Sequence, residues 1–338
     1  MYVAALTLSA AVTVGTTGIP FFHLGTVGPL PIQWFGAIVA AGVLIGAAIL
    51  RRYAEWHKVS DEHIRGITGW ITVAGFLGAH WLDMIMYQGD KPWFQFNGWH
   101  PSDWPLVLKI WEGISSYGGF VGGAVGFFVY VWWKRLPARL MADIAIVGLL
   151  PAFSIGRIGC TVVSDHIGAW VEPGSTFAFL AQSFPRNMNN EVVRELVAAH
   201  PGVTDHILAW NLGLIEFLYL VPVNALILWL AFRKKRSNAG FIIVLSGVLY
   251  APVRFFLDYL RPEVSDTRHF GLTFAQWASM LAFAGAVYFA VRVFKNGEPA
   301  EVMAPTSKEA QEMMRVALKD AGDTVAKKAP APKDKASK

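Results

Sequence analysis

Arg157, Cys160 and Asp165 lie close together in GRIGCTVVSDHIG (residues 156–168), where a long apolar stretch of the sequence ends. A charged side chain at the edge of a membrane span costs several kcal/mol unless it is paired or hydrated, which makes each such residue a functional candidate. A guanidinium group in this position is suited to holding a phosphate. A cysteine beside it is either a nucleophile or a small packing residue.

A second arginine lies in VRFFLDYLR, at the end of another apolar stretch. Arg254 and Asp258 are four residues apart, and Arg261 follows Asp258 after three more. Residues four apart are neighbours on one face of a helix, so Arg254 and Asp258 could simply form a structural ion pair. Two arginines that reach the same membrane surface from different helices would instead suit a bidentate grip on a phosphate.

Further polar residues interrupt the other apolar stretches. They are His80 and Asp83 in GAHWLD, Glu112 and Tyr117 in IWEGISSYGGFVGG, Asp143, and Glu216 in WNLGLIE. The glycines around Tyr117 are Gly113, Gly118, Gly119, Gly122 and Gly123. Their missing side chains allow the close approach of a second helix or of a lipid, so helix packing and a substrate groove both remain open.

The composition of the chain indicates that a lipid bilayer is the solvent around these residues. Hydrophobic residues make up 54% of the 338-residue sequence and charged residues only 16%, and the mean hydropathy is +0.41. Too little of the chain could face water for an ordinary soluble domain. A helix of roughly 17 to 25 apolar residues crosses the hydrocarbon core of a membrane. Seven stretches fit, at residues 32–50, 67–87, 114–133, 141–158, 211–232, 239–257 and 273–293.

The charges between these stretches predict the orientation of the chain. Basic clusters follow the first, third, fifth and seventh stretches, and loops with excess Lys and Arg lie on the cytoplasmic side. The sequence therefore predicts an all-α polytopic membrane protein with seven transmembrane helices, its N-terminus outside and its C-terminus cytoplasmic.

Three segments follow from this prediction. We expect residues 1–31 to lie on the outer interface, residues 32–295 to form the membrane domain, and residues 296–338 to be a mostly disordered cytoplasmic tail. The loop at 160–210 is the largest outer segment and is expected to form a small periplasmic head with one amphipathic helix in PRNMNNEVVRELVAAHPGV. This head either receives an exported polypeptide or caps the helix ends.

Several classes of site are disfavoured. The chain has one cysteine and no Cys/His cluster with zinc spacing. The net charge of +5 is accounted for by the cytoplasmic loops and the tail, which favours anionic membrane lipids over nucleic acid as the partner. No internal repeat is evident, and the charges concentrate toward the outer ends of the stretches, so a small-solute transporter is disfavoured.

These stretches, in this order, resemble the phosphatidylglycerol–prolipoprotein diacylglyceryl transferase family. GPLPIQWFG resembles the entry to that family's first span, GAHWLD its second-span Gly-Ala-Arg stretch, and IWEGISSYGG its Trp-x-Gly-Gly-x-Ser-x-His-Gly-Gly loop. GRIGC with SDHIG resembles the signature Gly-Arg-x-Gly-Asn-x-x-x-Gly-Glu-x-x-Gly. The family's His-Pro-x-Gln-x-Tyr-Glu element is resembled by WNLGLIE. Its Arg-x-x-x-Glu-x-x-Arg element is resembled by VRFFLDYLR, and its Ser-x-x-Gln element by LTFAQWASM. The resemblance covers residues 18–295 and leaves out the tail.

The resemblance implies a transferase of the bacterial cytoplasmic (inner) membrane, with its active site toward the outer leaflet. Such an enzyme moves the diacylglyceryl group of phosphatidylglycerol to the lipobox cysteine of an exported preprolipoprotein; glycerol phosphate leaves and a thioether remains. The resemblance implies that Arg157 and Arg254 handle the lipid phosphate, with Tyr117 and His80 as further catalytic candidates, and it implies no cofactor or metal. The residues expected to bind or shape the substrate site are Gly118, Gly119, Asp143, Gly156, Cys160, Asp165, Glu216, Asp258 and Arg261.

Several positions depart from the family pattern. Tyr117 stands where the family has the histidine of His-Gly-Gly, and a tyrosine with a reference pKa near 10 is a poor base at neutral pH. His80, which replaces an arginine, could supply the missing imidazole or could be a satisfied interior histidine. Cys160 replaces the signature asparagine and Asp165 its glutamate; because the acceptor cysteine belongs to the substrate, we expect Cys160 to be a packing residue. A noncatalytic lipid- or lipoprotein-binding protein on the same scaffold is the alternative.

Overall fold

The structure is a computed structural model, and it describes residues 18–23, 34–88, 91–98, 100, 103–109, 113, 115–203, 205–235, 237–266 and 268–296. Glu112, most of the expected interfacial segment and the expected tail beyond residue 296 lie outside the described residues.

Eight α-helices account for most of the described chain. They are α1 (Trp34–Trp56), α2 (Asp61–Tyr87), α3 (Ser116–Trp133), α4 (Ala138–Val163), α5 (Glu191–Ala199), α6 (Leu212–Phe232), α7 (Phe241–Leu257) and α8 (Phe274–Asn296). All except α5 coincide with the seven expected apolar stretches. The protein is therefore a mostly helical, polytopic membrane protein.

Within the part of the chain that the structure describes, five helices are long and apolar enough to cross a membrane, namely α1, α4, α6, α7 and α8, whereas α3 is a shorter apolar helix. The first turn of α2 is charged: Ser60 caps the helix, and Asp61 pairs with Arg65 at 2.8 Å. Polar residues also lie near its other end, at His80 and Asp83, so α2 is less apolar than the five helices along its whole length.

The described chain divides into two compact units. The first comprises residues 18–54 and 142–296, and the second comprises residues 55–141.

In the second unit, α2 and α3 pack through glycines at very short range. A Cβ on Gly118 would lie 2.2 Å from the carbonyl oxygen of Gly78, and a Cβ on Gly122 would lie 2.2 Å from that of Ala74. Only glycine permits this backbone-to-backbone contact, since any Cβ would force the helices apart. The glycine-rich start of α3 therefore serves helix packing.

The first unit contains a small head built from residues 164–211. Three antiparallel strands, β1 (Ile167–Trp170), β2 (Ala181–Pro185) and β3 (His206–Asn211), form a sheet in the order β1-β3-β2. A separate two-stranded hairpin, formed by β4 (Arg268–His269) and β5 (Leu272–Thr273), lies between α7 and α8. The expected all-α class is therefore wrong in this respect: strands too short to show an alternating pattern escaped the sequence analysis.

The head has its own apolar core. Helix α5 is capped by the Asn190 side chain, which accepts hydrogen bonds from the backbone of Val192 and Val193 at 2.9 and 3.3 Å. The apolar side of α5 packs on the sheet residues Ile167, Phe184 and Ile207. The expected amphipathic helix of the head is thus present. Part of the expected interfacial segment also belongs to the head, because Ile19 exchanges backbone hydrogen bonds with β2.

Candidate functional site

Arg157 lies on α4 and is buried, with 4% of its surface exposed. Its Nε lies 3.1 Å from Oε2 of Glu216, and its Nη1 donates to Sγ of Cys160 at 3.9 Å. Its guanidinium carbon sits 4.7 Å from the centroid of the Phe153 ring. Phe153 and Cys160 lie one turn before and after Arg157, so a single face of α4 presents all three side chains.

The last turns of α4 and the first turn of α6 are tied together by Asn211. Its Oδ1 accepts from the backbone N–H of Leu214 at 3.1 Å and so caps α6, while its Nδ2 donates to the carbonyl oxygen of Thr161 at 3.3 Å. Gly213 allows the close approach, because a Cβ there would lie 3.1 Å from Cβ of Cys160. The motif WNLGLIE thus places Glu216 against Arg157 through its asparagine and glycine.

Glu216 is almost fully buried and has two partners. One carboxylate oxygen faces Arg157, and the other accepts a short hydrogen bond from the hydroxyl of Tyr250 on α7. A buried carboxylate is tolerated only when it is paired and hydrogen-bonded. Three helices, α4, α6 and α7, therefore converge on this group.

Arg254 lies one turn after Tyr250 on the same helix and forms with Asp258, at 3.0 Å, the ion pair that was one of the two alternatives left open by the sequence. Asp258 is fully buried, and its Oδ1 is also 3.1 Å from Nε of Arg261. Its other oxygen accepts from the hydroxyl of Thr273. Asp258 is therefore held between two arginines and the base of the β4–β5 hairpin.

The two arginines that the sequence singled out belong to one cluster. Arg157 is close enough to Arg254 to interact with it electrostatically, and Tyr250 interacts with both. Arg261 also pairs with Asp266 at 2.9 Å. The cluster thus balances three guanidinium groups (157, 254, 261) against three carboxylates (216, 258, 266). A guanidinium has five N–H donors in a fixed fork, and the carboxylates hold these forks in set orientations.

Cys160, Asp165 and the neighbouring His166 also come together at the end of α4. Nδ1 of His166 lies 2.7 Å from Oδ1 of Asp165, and one potential metal-ligating atom from each of the three residues lies within 4.8 Å of the other two. Burial lowers the pKa of the His166 imidazole below its usual value, and the opposing effect of Asp165 does not cancel this. The sequence analysis singled out Cys160 and Asp165 but not His166. The chain between Cys160 and Asp165 leaves α4 at Ser164, which has a left-handed backbone with φ of 54°.

Asp143 does not join the arginine cluster. It lies fourteen residues before Arg157 on α4, about 21 Å along the helix axis. Its carboxylate caps the start of α7, accepting from the backbone N–H groups of Gly240 at 2.7 Å and Ile243 at 2.9 Å. The oxygens of Asp143 therefore serve a helix terminus, and its expected role in shaping the substrate site stays a prediction. Gly156 lies beside open space: a Cβ there would meet no described residue within 4 Å.

The candidates of the second unit are His80, Tyr117, Gly118 and Gly119. His80 is fully buried, with Nε2 2.8 Å from the carbonyl oxygen of Leu106 and Nδ1 3.4 Å from that of Gly113. A neutral imidazole has only one N–H, so the bond to Leu106 is the one it makes best. This geometry fits a satisfied interior histidine. Tyr117 is half-buried in the first turn of α3.

Comparison with known proteins gives these positions a context. The family model of prolipoprotein diacylglyceryl transferases matches residues 22–292. The chain belongs to this family. Similar proteins are the phosphatidylglycerol–prolipoprotein diacylglyceryl transferases of Thermosynechococcus vestitus, 26% identical over 80% of this chain and 92% of the relative, and of Trichormus variabilis, 25% identical over 84% of this chain and 94% of the relative. That of Leifsonia xyli is 26% identical over 79% and 77%.

The sequence did not identify every residue at the candidate site of this member of the prolipoprotein diacylglyceryl transferase family. Tyr250 precedes Arg254 by four residues, so helical spacing could have identified it. Thr273 and Gln276 bond to each other's backbone at 3.2 and 3.0 Å, and they fall in the stretch LTFAQWASM that carried the resemblance. Helical spacing could not have identified His166 or Asp266. His166 pairs with Asp165 in a turn, and Asp266 pairs with Arg261 in a loop.

Proposed function

We propose that the chain transfers the diacylglyceryl group of phosphatidylglycerol to the lipobox cysteine of exported preprolipoproteins. The product is a thioether on the acceptor cysteine, and glycerol phosphate leaves. The observation that carries the proposal is the pair of buried arginines, Arg157 and Arg254, which two different helices bring into one cluster.

The arginines have a defined task in this reaction. The carbon–oxygen bond to the phosphate breaks as the thiolate attacks, and negative charge develops on the departing phosphate. Oriented guanidinium groups in a site with little water stabilise that charge without reorganising. Glu216 and Asp258 keep the forks of Arg157 and Arg254 in place through contacts of 3.1 and 3.0 Å.

The acceptor thiol must lose its proton before it attacks. A thiol with a reference pKa near 8.5 is mostly protonated at neutral pH. Tyr117 is a poor base. Both ring nitrogens of His80 face backbone carbonyl oxygens, so one nitrogen donates its proton to a carbonyl and the lone pair of the other also faces one.

The proposed setting is the bacterial cytoplasmic (inner) membrane, with seven spans, the N-terminus outside and the site toward the outer leaflet. The basic clusters after α1, α3 and α6 support this orientation by the positive-inside rule. The head at residues 164–211 then faces the side from which an exported polypeptide arrives.

Transfer of label from phosphatidylglycerol, labelled in its diacylglyceryl group, to the cysteine of a lipobox peptide tests the function. Removing one oriented charge donor typically lowers a rate by about 10²–10³-fold. We therefore expect at least a hundred-fold loss in Arg157→Ala and in Arg254→Ala. Arg157→Lys keeps the charge without the fork and should also lose most of the activity.

Arg194→Ala is the matched control, since Arg194 is exposed on α5 in the head. It should transfer label at the wild-type rate. Folded wild type that binds phosphatidylglycerol vesicles and transfers no label would contradict the enzyme and favour the noncatalytic scaffold, for which the replacement of the family histidine by Tyr117 is the supporting observation.

A further inference from the structure

We propose that His166 is the base that takes the proton from the thiol of the acceptor peptide. The inference rests on the proposed function, because that thiol belongs to the lipobox cysteine. Two other side chains are poorly suited to this step: Tyr117 is a weak base, and both ring nitrogens of His80 face carbonyl oxygens. His166 lies three residues after the end of α4, the helix that carries Arg157.

The hydrogen bond between His166 and Asp165 sets the tautomer of the imidazole. Nδ1 of His166 lies 2.7 Å from Oδ1 of Asp165. A carboxylate only accepts hydrogen bonds, so the proton of the neutral imidazole lies on Nδ1 and the lone pair on Nε2. None of the described residues forms a hydrogen bond with this Nε2. Asp165 therefore orients His166 as the aspartate of a Ser-His-Asp triad orients its histidine, and Nε2 is left to accept a proton.

The backbone on both sides of this imidazole is fixed. The carbonyl oxygen of His166 accepts from the backbone N–H of Leu212, the first residue of α6, at 2.9 Å. The next residue, Ile167, begins β1 and pairs with Asn211 in the sheet of the head. A base held on rigid elements keeps the geometry that proton transfer requires.

The His166 side chain is also open to a substrate, since 19% of its surface is exposed. His80, by comparison, is fully buried. A base must come within about 2.6–3.2 Å of the atom whose proton it takes. The partial exposure of His166 gives the thiol of a bound peptide this access.

His166 lies close to the arginines proposed to hold the lipid phosphate. Sγ of Cys160 is 3.9 Å from Nη1 of Arg157 and within 4.8 Å of a ring nitrogen of His166. Arg261 and Arg157 both act electrostatically on the imidazole. Before attack, the sulfur lies about 3–3.5 Å from the glyceryl carbon, which is bonded to the phosphate oxygen. The base for this thiol must therefore lie a few ångströms from the guanidinium groups, as His166 does.

The surroundings of His166 favour its neutral form. Burial lowers the pKa of the imidazole below its usual value, and Arg261 and Arg157 lower it further. The carboxylate of Asp165 raises this pKa without cancelling the other effects. A neutral imidazole keeps its lone pair at neutral pH, so the base is ready before the thiol arrives.

The group transfer then balances as follows. Nε2 of His166 takes the proton of the thiol while the sulfur attacks the glyceryl carbon that carries the phosphate, and the carbon–sulfur bond forms. The carbon–oxygen bond breaks, its electron pair stays on the phosphate oxygen, and glycerol phosphate leaves. The imidazolium releases its proton to water, which restores the base. No oxidant or reductant is required.

The pH dependence of lipid transfer by His166→Ala tests the proposal, with the purified full-length protein, phosphatidylglycerol vesicles and a lipobox peptide. A thiol with a reference pKa near 8.5 is about 3% ionised at pH 7 and about half ionised at pH 8.5. Without its base, the variant depends on the thiolate that is already present. We therefore expect His166→Ala to transfer lipid about thirty-fold more slowly than wild type at pH 7, and only about twofold more slowly at pH 8.5.

Rescue and coupling distinguish a base from a structural residue. Imidazole added to His166→Ala should raise its rate at pH 7, because the free base replaces the missing one. Asp165→Asn should also slow transfer at pH 7, and His166→Ala/Asp165→Asn should be about as slow as His166→Ala alone, since the two residues act as one unit. His269→Ala is the matched control, because His269 is an exposed histidine of the β4–β5 hairpin, and its rate should equal that of wild type at both pH values.

The possible failures of this proposal and of the proposed function differ. A wild-type rate for His166→Ala at pH 7 would overturn the role of His166 and leave the transferase intact. So would a loss of equal size at pH 7 and pH 8.5 that imidazole does not rescue, since a structural defect has that signature. Wild-type protein that transfers no label at any pH would overturn the transferase and, with it, the role of His166.

Discussion

The ion pair between Arg157 and Glu216 offers a test of how the site is held together. At a separation of 3.1 Å and an effective dielectric constant of 20, two unit charges attract by about 5 kcal/mol. Removing one partner of a buried pair leaves the other charge uncompensated, which typically costs about 3–5 kcal/mol. We therefore expect Glu216→Gln to destabilise the protein by about 3 kcal/mol or more. Arg157→Met/Glu216→Gln should cost less than the sum of the two single changes.

The single cysteine supplies the assay. Cys160 is buried, with 8% of its surface exposed, and it is the only cysteine in the sequence, so a thiol reagent reports opening of this region. Where opening and closing are faster than labelling, a loss of 3 kcal/mol raises the labelling rate by about 100-fold. The double variant should label more slowly than Glu216→Gln while still transferring no lipid, because it lacks Arg157.

Equal labelling rates in wild type and Glu216→Gln would refute the reasoning. So would strictly additive effects of the two changes, since residues in one ion pair must couple. Glu216→Asp, which keeps the charge on a shorter side chain, is the matched control and should recover part of the stability.

Three further predictions concern packing, capping and the membrane surface. Asp143→Ala removes the cap of α7 and should lower the unfolding free energy by about 1–2 kcal/mol, which thiol labelling measures. The same variant should lower lipid transfer less than Arg254→Ala does, which the transfer assay measures. Gly118→Val should disrupt the packing of α2 on α3, because a Cβ would lie 2.2 Å from a backbone oxygen, whereas Gly119→Ala, with 3.9 Å to its nearest neighbour, should express and fold like wild type. Phe270 forms the tip of the β4–β5 hairpin with φ of 55° and is 97% exposed, so we expect it to lie in the membrane interface. Because Cys160 is the only cysteine in the sequence, Phe270→Cys in a Cys160→Ser background can carry a single fluorescent thiol dye, and its fluorescence should be quenched by lipids that carry a quencher near the head group.

Each of these predictions has an outcome that contradicts it. Wild-type stability of Asp143→Ala would mean that the cap contributes nothing, and a well-folded Gly118→Val would mean that α2 and α3 are not in backbone contact. Quenching of the dye at position 270 by an aqueous quencher alone would place the hairpin tip in water.

Much of the fold could be predicted from the sequence, because helix spans depend on local hydropathy. All seven apolar stretches became helices, with ends shifted by a few residues where caps or charged turns intervene, as at Ser60 in α2. The head was expected to contain one helix, and α5 is that helix. Its three-stranded sheet was not expected, because each strand has only four to six residues and pairs with a distant part of the chain.

The site was predictable to the extent that its residues share one helix. Arg254 and Asp258 are four residues apart, and their ion pair follows from helical spacing. The partner of Arg157 was not predictable in this way, since Glu216 lies on another helix and reaches it through the cap at Asn211. The cap that Asp143 provides for α7 was likewise not predictable, because its carboxylate meets backbone N–H groups about a hundred residues away in the sequence.

The sequence by itself determined that this chain enters a membrane, which stretches become helices, which family it belongs to and where its unusual charges lie. These properties follow from composition and local periodicity, which need no knowledge of distant contacts. Only the tertiary structure decided which charges neutralise one another, that Tyr250 completes the Glu216 site, and that Cys160 meets Asp165 and His166. Those outcomes depend on how helices from separate parts of the chain pack and on a single left-handed turn at Ser164, and neither is encoded in a local pattern of residue types.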